Sequence, residues 1–186
     1  MKVIASLLAS GLLTACTQNL GVKADTAYAW YLPPVGSTIE LHRSLQLPGG
    51  HTRVFLQRGE VVAKQAFDRY QPSCSFEIRS LAETPRQIDP ETFLITRVQR
   101  TTEEVVERDE PIMLAAWNFV GIDDGPPMVT RGVHLWISSD LQPDVMRLTC
   151  HGAFDDPPEA LPPSIDEMRG ALGSYASLRL SGAGSP

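Results

Sequence analysis

The sequence has no run of about 20 apolar residues, the length that a helix needs to cross a bilayer. It also lacks a basic cluster: 16 Lys and Arg stand against 22 Asp and Glu, for a formal net charge of −6. An acidic chain without a basic stripe is poorly suited to bind nucleic acid or an anionic membrane surface. We therefore expect no nucleic-acid partner.

Motifs of known catalytic sites are absent as well. There is no Gly-x-Ser-x-Gly elbow, no glycine-rich phosphate loop and no His-Glu-x-x-His zinc motif. The four histidines are scattered along the chain, at His42, His51, His134 and His151. We expect no catalytic residue, no resident metal and no cofactor. A hydrolase with an unfamiliar site is the least favoured alternative.

The amino-terminal segment has the layout of a secretory signal, with a basic start at Lys2, an uncharged apolar stretch and small residues before Cys16. Its ending, Leu13-Thr14-Ala15-Cys16, resembles the lipobox of bacterial lipoproteins. The resemblance implies cleavage before Cys16, diacylglycerol on its thiol and an acyl chain on its new amine. Because Thr17 follows, where inner-membrane lipoproteins have Asp, it implies the outer membrane, facing the periplasm or the cell surface. The alternative is a buried amphipathic helix with a chance cysteine.

The resemblance also implies a division of the chain. Residues 1–15 are the signal peptide, and the small polar residues 16–27 are a lipidated flexible tether. Residues 28–180 form a single β-rich domain, and 181–186 a disordered tail. The domain, through its segment Tyr70-Gln71-Pro72-Ser73-Cys74-Ser75-Phe76-Glu77, is similar to small uncharacterised envelope lipoproteins of proteobacteria, which implies no particular activity.

Cysteine is scarce, with three in the chain. If Cys16 carries lipid, Cys74 and Cys150 remain as a pair in a compartment that permits disulfides. Each alternates with apolar residues in a strand pattern, which directs both toward a core. We predict that Cys74 and Cys150 form a disulfide. A free buried thiol pair and a metal site with His151 are the alternatives.

Alternation of apolar and polar residues predicts a mainly β fold: an antiparallel sandwich or a partly open barrel of about seven strands with one C-terminal helix. The predicted strands are Thr38–Leu47, Thr52–Val62, Cys74–Leu81, Thr92–Glu107, Ile112–Val120, Arg131–Ser138 and Val145–Phe154. A last segment, Tyr175–Leu180, is either a closing strand or an extended tail.

Gly49-Gly50 separates the first two predicted strands, and glycine supplies the positive φ of a tight hairpin turn. A two-residue loop there would place Leu45 opposite Val54 and Arg43 opposite Leu56.

One helix is expected after Ser164. Ser164 and Glu167 have the spacing of a capping box, and Gly173 follows the last apolar residue. Ile165, Met168 and Leu172 would lie on one buried stripe.

Ligand sites have weaker signals. His134 and Trp136 lie opposite Val133 and Leu135 in strand alternation, so their face is either a second packing layer, which we favour, or a ligand-contact surface. The acidic loops Asp123–Pro127 and Asp155–Pro158 offer carboxylates to a cation but lack a calcium-loop pattern, and we interpret them as solvated turns.

These observations favour a non-enzymatic accessory module, anchored to the outer membrane by lipid, that binds an envelope protein. A small-ligand or metal-binding lipoprotein is the main alternative.

Overall fold

The structure, a computed structural model, describes residues 28–63, 66–104 and 128–182 of the 186-residue chain. These residues form ten strands and one helix. In chain order the elements are β1 Thr38–Leu41, β2 Leu45–Leu47, β3 Arg53–Gln57, β4 Glu60–Val62, β5 Ser73–Ile78, β6 Arg86–Ile88, β7 Glu91–Glu104, β8 Val129–Ser138, β9 Val145–His151, α1 Ile165–Leu172 and β10 Ala176–Arg179. The predicted strand Ile112–Val120, like the end of Thr92–Glu107, lies outside the described residues.

Eight strands form one antiparallel sheet in the order β10-β1-β7-β8-β9-β5-β3-β4, and this sheet curls into a half-barrel. Strands β2 and β6 pair as a small second sheet. The predicted fold class, a mainly β and partly open barrel with one helix near the C-terminus, is confirmed. Six of the seven predicted strands fall at least partly within the described residues. Thr38–Leu47 and Thr52–Val62 each break in two, β10 lies in the segment left open as a strand or a tail, and β6 was not predicted, which gives ten strands.

The hairpin predicted at Gly49-Gly50 is wrong. Leu45 pairs with Ile88 of β6, while Val54 pairs with Phe76 of β5. The two glycines instead let the chain pass close to residues 82–84: a Cβ at position 49 would lie 2.0 Å from the carbonyl oxygen of Glu83. The chain thus leaves the small sheet for the large one at this point.

The hairpin in this region joins β3 to β4, further along the chain. Arg58 and Gly59 have φ values of 52° and 76°, and Gln57 pairs with Glu60 across them. Two successive positive φ angles are typical of the two-residue turn whose twist matches paired strands.

One face of the large sheet is apolar and forms the core with the small sheet and α1. The largest fully buried side chains are Phe76, Phe93, Ile39, Leu41, Leu45, Leu47, Leu56, Ile88, Ile95, Leu135, Ile137 and Leu148. Helix α1 contacts β3, β5 and β10, and its buried stripe includes the predicted Ile165, Met168 and Leu172. Burial of such side chains contributes at most about 1.5–3 kcal/mol each.

The predicted capping box of α1 is confirmed. Ser164 Oγ accepts a hydrogen bond from the Glu167 N–H at 3.2 Å, and the Glu167 carboxylate accepts one from the Ser164 N–H at 2.8 Å. The chain then turns at Gly173, and β10 pairs with β1, so Tyr175–Leu180 contains a closing strand. Ser181, assigned to the tail, donates its N–H to Ser37 Oγ at 3.0 Å.

Cys74 and Cys150 are joined by a disulfide with an S–S distance of 2.04 Å. They are directly paired residues of the adjacent strands β5 and β9, and they are 1% and 0% exposed within the core. The alternative of a metal site with His151 is excluded, because the sulfur atoms bond to each other and His151 points to the other face of the sheet.

A register shift in β7 separates its charges from the core. Ile95 pairs with Ile137 and Arg97 with Trp136, so Thr96 is an extra residue in the ladder. Such a bulge changes which face the following residues occupy. Phe93 and Ile95 are therefore buried in the core, while Arg97 lies on the opposite face.

Candidate functional site

The second face of the large sheet carries mostly polar side chains, and we call it the polar face. Strand register arranges them in rows across β3, β5, β9, β8 and β7. The first row is Arg53, Glu77, Arg147, Trp136 and Arg97, and the second is Phe55, Ser75, Thr149, His134 and Gln99. Although polar, Glu77 is only 7% exposed, and Ser75 and Thr149 are 4% exposed. Buried polar groups must find partners on the protein.

The first row is a continuous chain of charge contacts. The Glu77 carboxylate binds the Nε atoms of two arginines, Arg53 at 3.2 Å and Arg147 on the other side. The guanidinium groups of Arg147 and Arg97 lie 5.3 and 5.4 Å from the Trp136 ring centroid, within the range of cation–π attraction. Trp136 therefore packs between arginines from both neighbouring strands.

His134 lies in the second row, next to Trp136 in the β8 alternation. Its Nδ1 forms a hydrogen bond with Thr149 Oγ1 at 2.8 Å. Burial, and secondarily the nearby Arg147 charge, lowers the pKa of His134 and favours the neutral ring. Both predicted ligand-contact residues thus contact protein groups, and their contact with a ligand stays a prediction.

His151 and Glu103 form the third feature of the polar face. His151 pairs with Gly132 of β8, where a Cβ would lie 2.3 Å from its Cδ2 atom. The absent side chain lets the imidazole lie across β8 and bring Nε2 to 3.3 Å from Glu103 Oε1 of β7. Contact with His151 is the main cause that lowers the pKa of the Glu103 carboxyl.

A cleft of about 870 Å³ opens over this face beside β3 and β4. Its floor is made of short side chains, Ser73 and Ser75 of β5, and His151 and Glu103 border it. Apolar walls stand around the floor, formed by Phe55, Phe67, Phe154, Val61 and Val62, with the guanidinium-bearing Arg53 and Arg69 also in the lining. The cleft exists because serines alternate with Cys74 and Phe76 on β5, where larger side chains would fill it.

Gln57 holds one wall in place. This side chain is 1% exposed and donates to the carbonyl oxygens of Asp68 and Gln71, at 2.7 and 3.1 Å. Its own oxygen accepts from the Asp68 N–H at 3.1 Å. A backbone bond from the Phe154 N–H to Arg69 then joins this loop to the segment after β9. The cleft is therefore bounded by a hydrogen-bonded loop as well as by strands.

The acidic loops do not assemble a cation site in the part of the chain that the structure describes. Asp123–Pro127 lies outside it. In Asp155–Pro158, the Asp156 carbonyl accepts bonds from Glu159 and Ala160, and Asp155 pairs through its backbone with Val129. No group of three or more His, Cys, Asp or Glu side chains among the described residues could hold a metal ion.

Sequence reasoning missed the residues that define the cleft. A glycine inside an alternating strand signals close approach of another group, and Gly132 was such a signal. Ser73 and Ser75 flank Cys74 in a segment noted for its resemblance, its strand pattern and its cysteine, but not for the serines themselves. Gln57 gave no signal, because its partners are more than ten residues away.

Cys16 lies outside the described residues, so its lipidation stays a prediction. Within 28–63, 66–104 and 128–182, no helix is both long and apolar enough to cross a membrane.

Comparison with known proteins gives no relative: no protein-family model, no curated protein and no solved structure matches this chain.

Proposed function

We propose that this chain is a lipoprotein anchored in a Gram-negative outer membrane through Cys16, and that its β domain is a non-enzymatic module that binds an envelope partner. The lipobox-like Leu13-Thr14-Ala15-Cys16 supports the anchor. The observation that carries the proposal is the buried Cys74–Cys150 disulfide, because structural disulfides form and persist in oxidising compartments outside the cytosol.

The arrangement of Ser73, His151 and Glu103 favours binding over catalysis. Ser73 and His151 are paired on neighbouring strands beside Glu103, which brings together the residue types of a hydrolase triad. However, the His151 ring crosses Gly132 toward β7, whereas Ser73 lies on β5, on the other side of β9. The base is therefore directed away from the nucleophile.

The sheet edges indicate where a partner strand would pair. At the β10 edge, Arg169 donates to the Leu178 carbonyl oxygen at 3.4 Å, which occupies a group that an added strand would need. The β4 edge lies beside the cleft, and no such side-chain bond to it exists among the described residues. We assign partner binding to the β4 side.

Intact mass analysis of the chain from a Gram-negative host tests the anchor. We expect an N-terminus at Cys16 with added lipid mass, a membrane-bound chain and no free thiol. Cys16→Ser should release the chain from the acylated fraction without changing the Cys74–Cys150 bond. An intact Met1 with an unmodified Cys16 thiol would contradict the proposal.

A second candidate function is small-ligand binding, and the cleft is the observation that favours it. Ligand sites are typically concave, about 300–1,000 Å³ in volume and mainly apolar with a few polar groups. The cleft, at about 870 Å³ with phenylalanine walls and a seryl floor, has these properties.

A further inference from the structure

The cleft has two chemically different sides. Phe55, Phe67 and Phe154 contribute half-buried rings, and Phe55 and Phe67 meet edge to face with centroids 5.7 Å apart. Arg53, Ser73 and Ser75 contribute a guanidinium and two hydroxyl groups. A ligand that satisfies both sides must therefore have an apolar body and a polar group.

The charge of the lining selects the sign of that polar group. Among the described lining residues, Arg53 and Arg69 are cationic at neutral pH and Glu103 is the one carboxylate. Glu103 Oε1 lies 3.3 Å from His151 Nε2. The lining thus contains two guanidinium groups and one carboxylate, in a chain whose formal net charge is −6.

Arg53 is the cation best placed to receive an anion. Glu77 engages its Nε at 3.2 Å, and its side chain stays 43% exposed. No other described residue forms a hydrogen bond or ion pair with its terminal Nη groups. A guanidinium held at one edge by a carboxylate still presents donors to a second anion.

From these observations we propose that the cleft binds an aromatic anion, with its rings against Phe55, Phe67 and Phe154 and its negative group at Arg53 and the hydroxyls of Ser73 and Ser75. This inference rests on the second candidate function, small-ligand binding, and adds the chemical class of the ligand. Aromatic rings favour edge-to-face and offset contacts with other rings, and phenylalanine walls supply both.

A matched pair of fluorescent probes tests the proposal. Anilinonaphthalene sulfonate (ANS) is an aromatic anion, and phenylnaphthylamine (NPN) is its neutral counterpart. Each is titrated into the full chain carrying Cys16→Ser, after mass analysis has verified the Cys74–Cys150 bond. We expect one saturable ANS site and roughly tenfold weaker NPN binding, the ratio typical of one charge-assisted hydrogen bond.

Two substitutions locate the site. Arg53→Gln should weaken ANS roughly tenfold and leave NPN unchanged. Val62→Glu, on the edge strand opposite Phe55, adds a repelling charge and should weaken ANS at least as much. Arg86→Gln removes an arginine that pairs with Asp144 outside the lining and should change neither affinity. Cooperative thermal unfolding of each variant verifies its fold.

The outcomes separate this inference from the functions proposed above. Equal binding of both probes, insensitive to Arg53→Gln but lost in Val62→Glu, would overturn the anionic ligand and leave small-ligand binding in place. Saturable ANS binding that neither substitution changes would place the site elsewhere and overturn the inference. Absence of saturable binding by either probe would overturn both. The anchor is decided separately by the mass of the N-terminus.

Discussion

The two faces of the eight-stranded sheet both contain buried side chains, but they bury them by different means. On the apolar face, Leu148 of β9 is 0% exposed among other hydrocarbon side chains. On the polar face, the next residue, Thr149, is 4% exposed and bonded to His134. Apolar burial is non-directional and requires only shape, whereas a buried polar group must meet a partner at a fixed distance and angle.

This difference assigns distinct tasks to the two faces. Hydrocarbon burial on the apolar face supplies net stability. Buried ion pairs such as Arg147–Glu77 lose hydration that offsets most of their attraction, so their net contribution is small. What the polar face supplies is fixed position: guanidinium, imidazole and hydroxyl groups held around the cleft. The apolar face holds the fold together, and the polar face fixes the positions of the side chains that line the cleft.

Loss of the cross-link on the apolar face should have the largest effect. The double substitution Cys74→Ala and Cys150→Ala frees two strands whose cysteines are 76 residues apart. We expect the free energy of unfolding to fall by about 2–5 kcal/mol, measured by urea denaturation at neutral pH. Cys16→Ser is the control and should leave it unchanged. A loss smaller than that of the polar-face variants would reverse the proposed division between the faces.

Breaking the ion pairs of the first row of the polar face should have the next largest effect on the free energy of unfolding. Glu77→Gln leaves Arg53 and Arg147 facing each other without a carboxylate. Removing one partner of a buried pair costs about 3–5 kcal/mol, and the partial exposure of Arg53 reduces the expected loss to about 2–3 kcal/mol. Glu40→Gln breaks the exposed pair with Arg179 and should cost less than about 1 kcal/mol. Equal losses in the two urea curves would show that burial does not distinguish these pairs.

A methyl group at position 132, where the His151 ring lies across β8, should have a smaller effect on the free energy of unfolding. In Gly132→Ala, the new Cβ would meet Cys150 O at 2.7 Å as well as the His151 ring. The ring can move but the strand cannot, so we expect a loss of about 1–2 kcal/mol in unfolding free energy. The Glu103 pKa, followed by NMR, should rise as the ring moves away.

The matched glycine is Gly170 in α1, where a Cβ would meet nothing within 4 Å. Gly170→Ala should stabilise the chain by about 0.5–1 kcal/mol, because alanine favours the helix. A Gly132→Ala variant of unchanged stability and unchanged Glu103 titration would contradict the role given to position 132.

The apolar face was predictable because its signal is local. Alternation located β5, β8 and β9, and the capping box located α1. The Cys74–Cys150 pair was predicted from this alternation together with the assignment of Cys16 to lipid. The sequence could not predict which strands pair on either side of Gly49-Gly50. A hairpin between the two flanking strands and a passage from one sheet to the other both satisfy the local pattern. Only the burial of Leu45 against β6 decides between them.

The polar face was not predictable, because its contacts join residues that are far apart in sequence. Glu77 and Arg147 meet only in the register of β5 with β9, 70 residues away. A bulge at Thr96 also shifts the phase of β7. In the sequence, the apolar residues Ile95 and Val98 are three positions apart instead of two. This spacing is consistent with a bulge and equally with the end of a strand, and only the partner strand distinguishes the two.

As the pH falls, the first loss of folding stability should come from His134 on the polar face. An unfolded histidine has a pKa of about 6.5, and burial lowers the pKa of His134 in the fold. Below about pH 6.5 the unfolded chain binds a proton that the folded chain resists, so stability falls with pH until the folded pKa is passed. Arg147, His151, Glu103 and Glu77 are the charged or titratable neighbours that set this balance.

The second loss should begin near pH 4.5, where an unfolded glutamate protonates, and continue through the lowered pKa of Glu103. Urea midpoints between about pH 8 and 3 should show both steps. His134→Gln should flatten only the upper step and Glu103→Gln only the lower, whereas Gly170→Ala, which alters no titrating group, should shift the whole profile in parallel. A wild-type midpoint that rises as the pH falls below 6.5 would mean that His134 is stabilised in its charged form, and the buried hydrogen bond to Thr149 would then need a different protonation state.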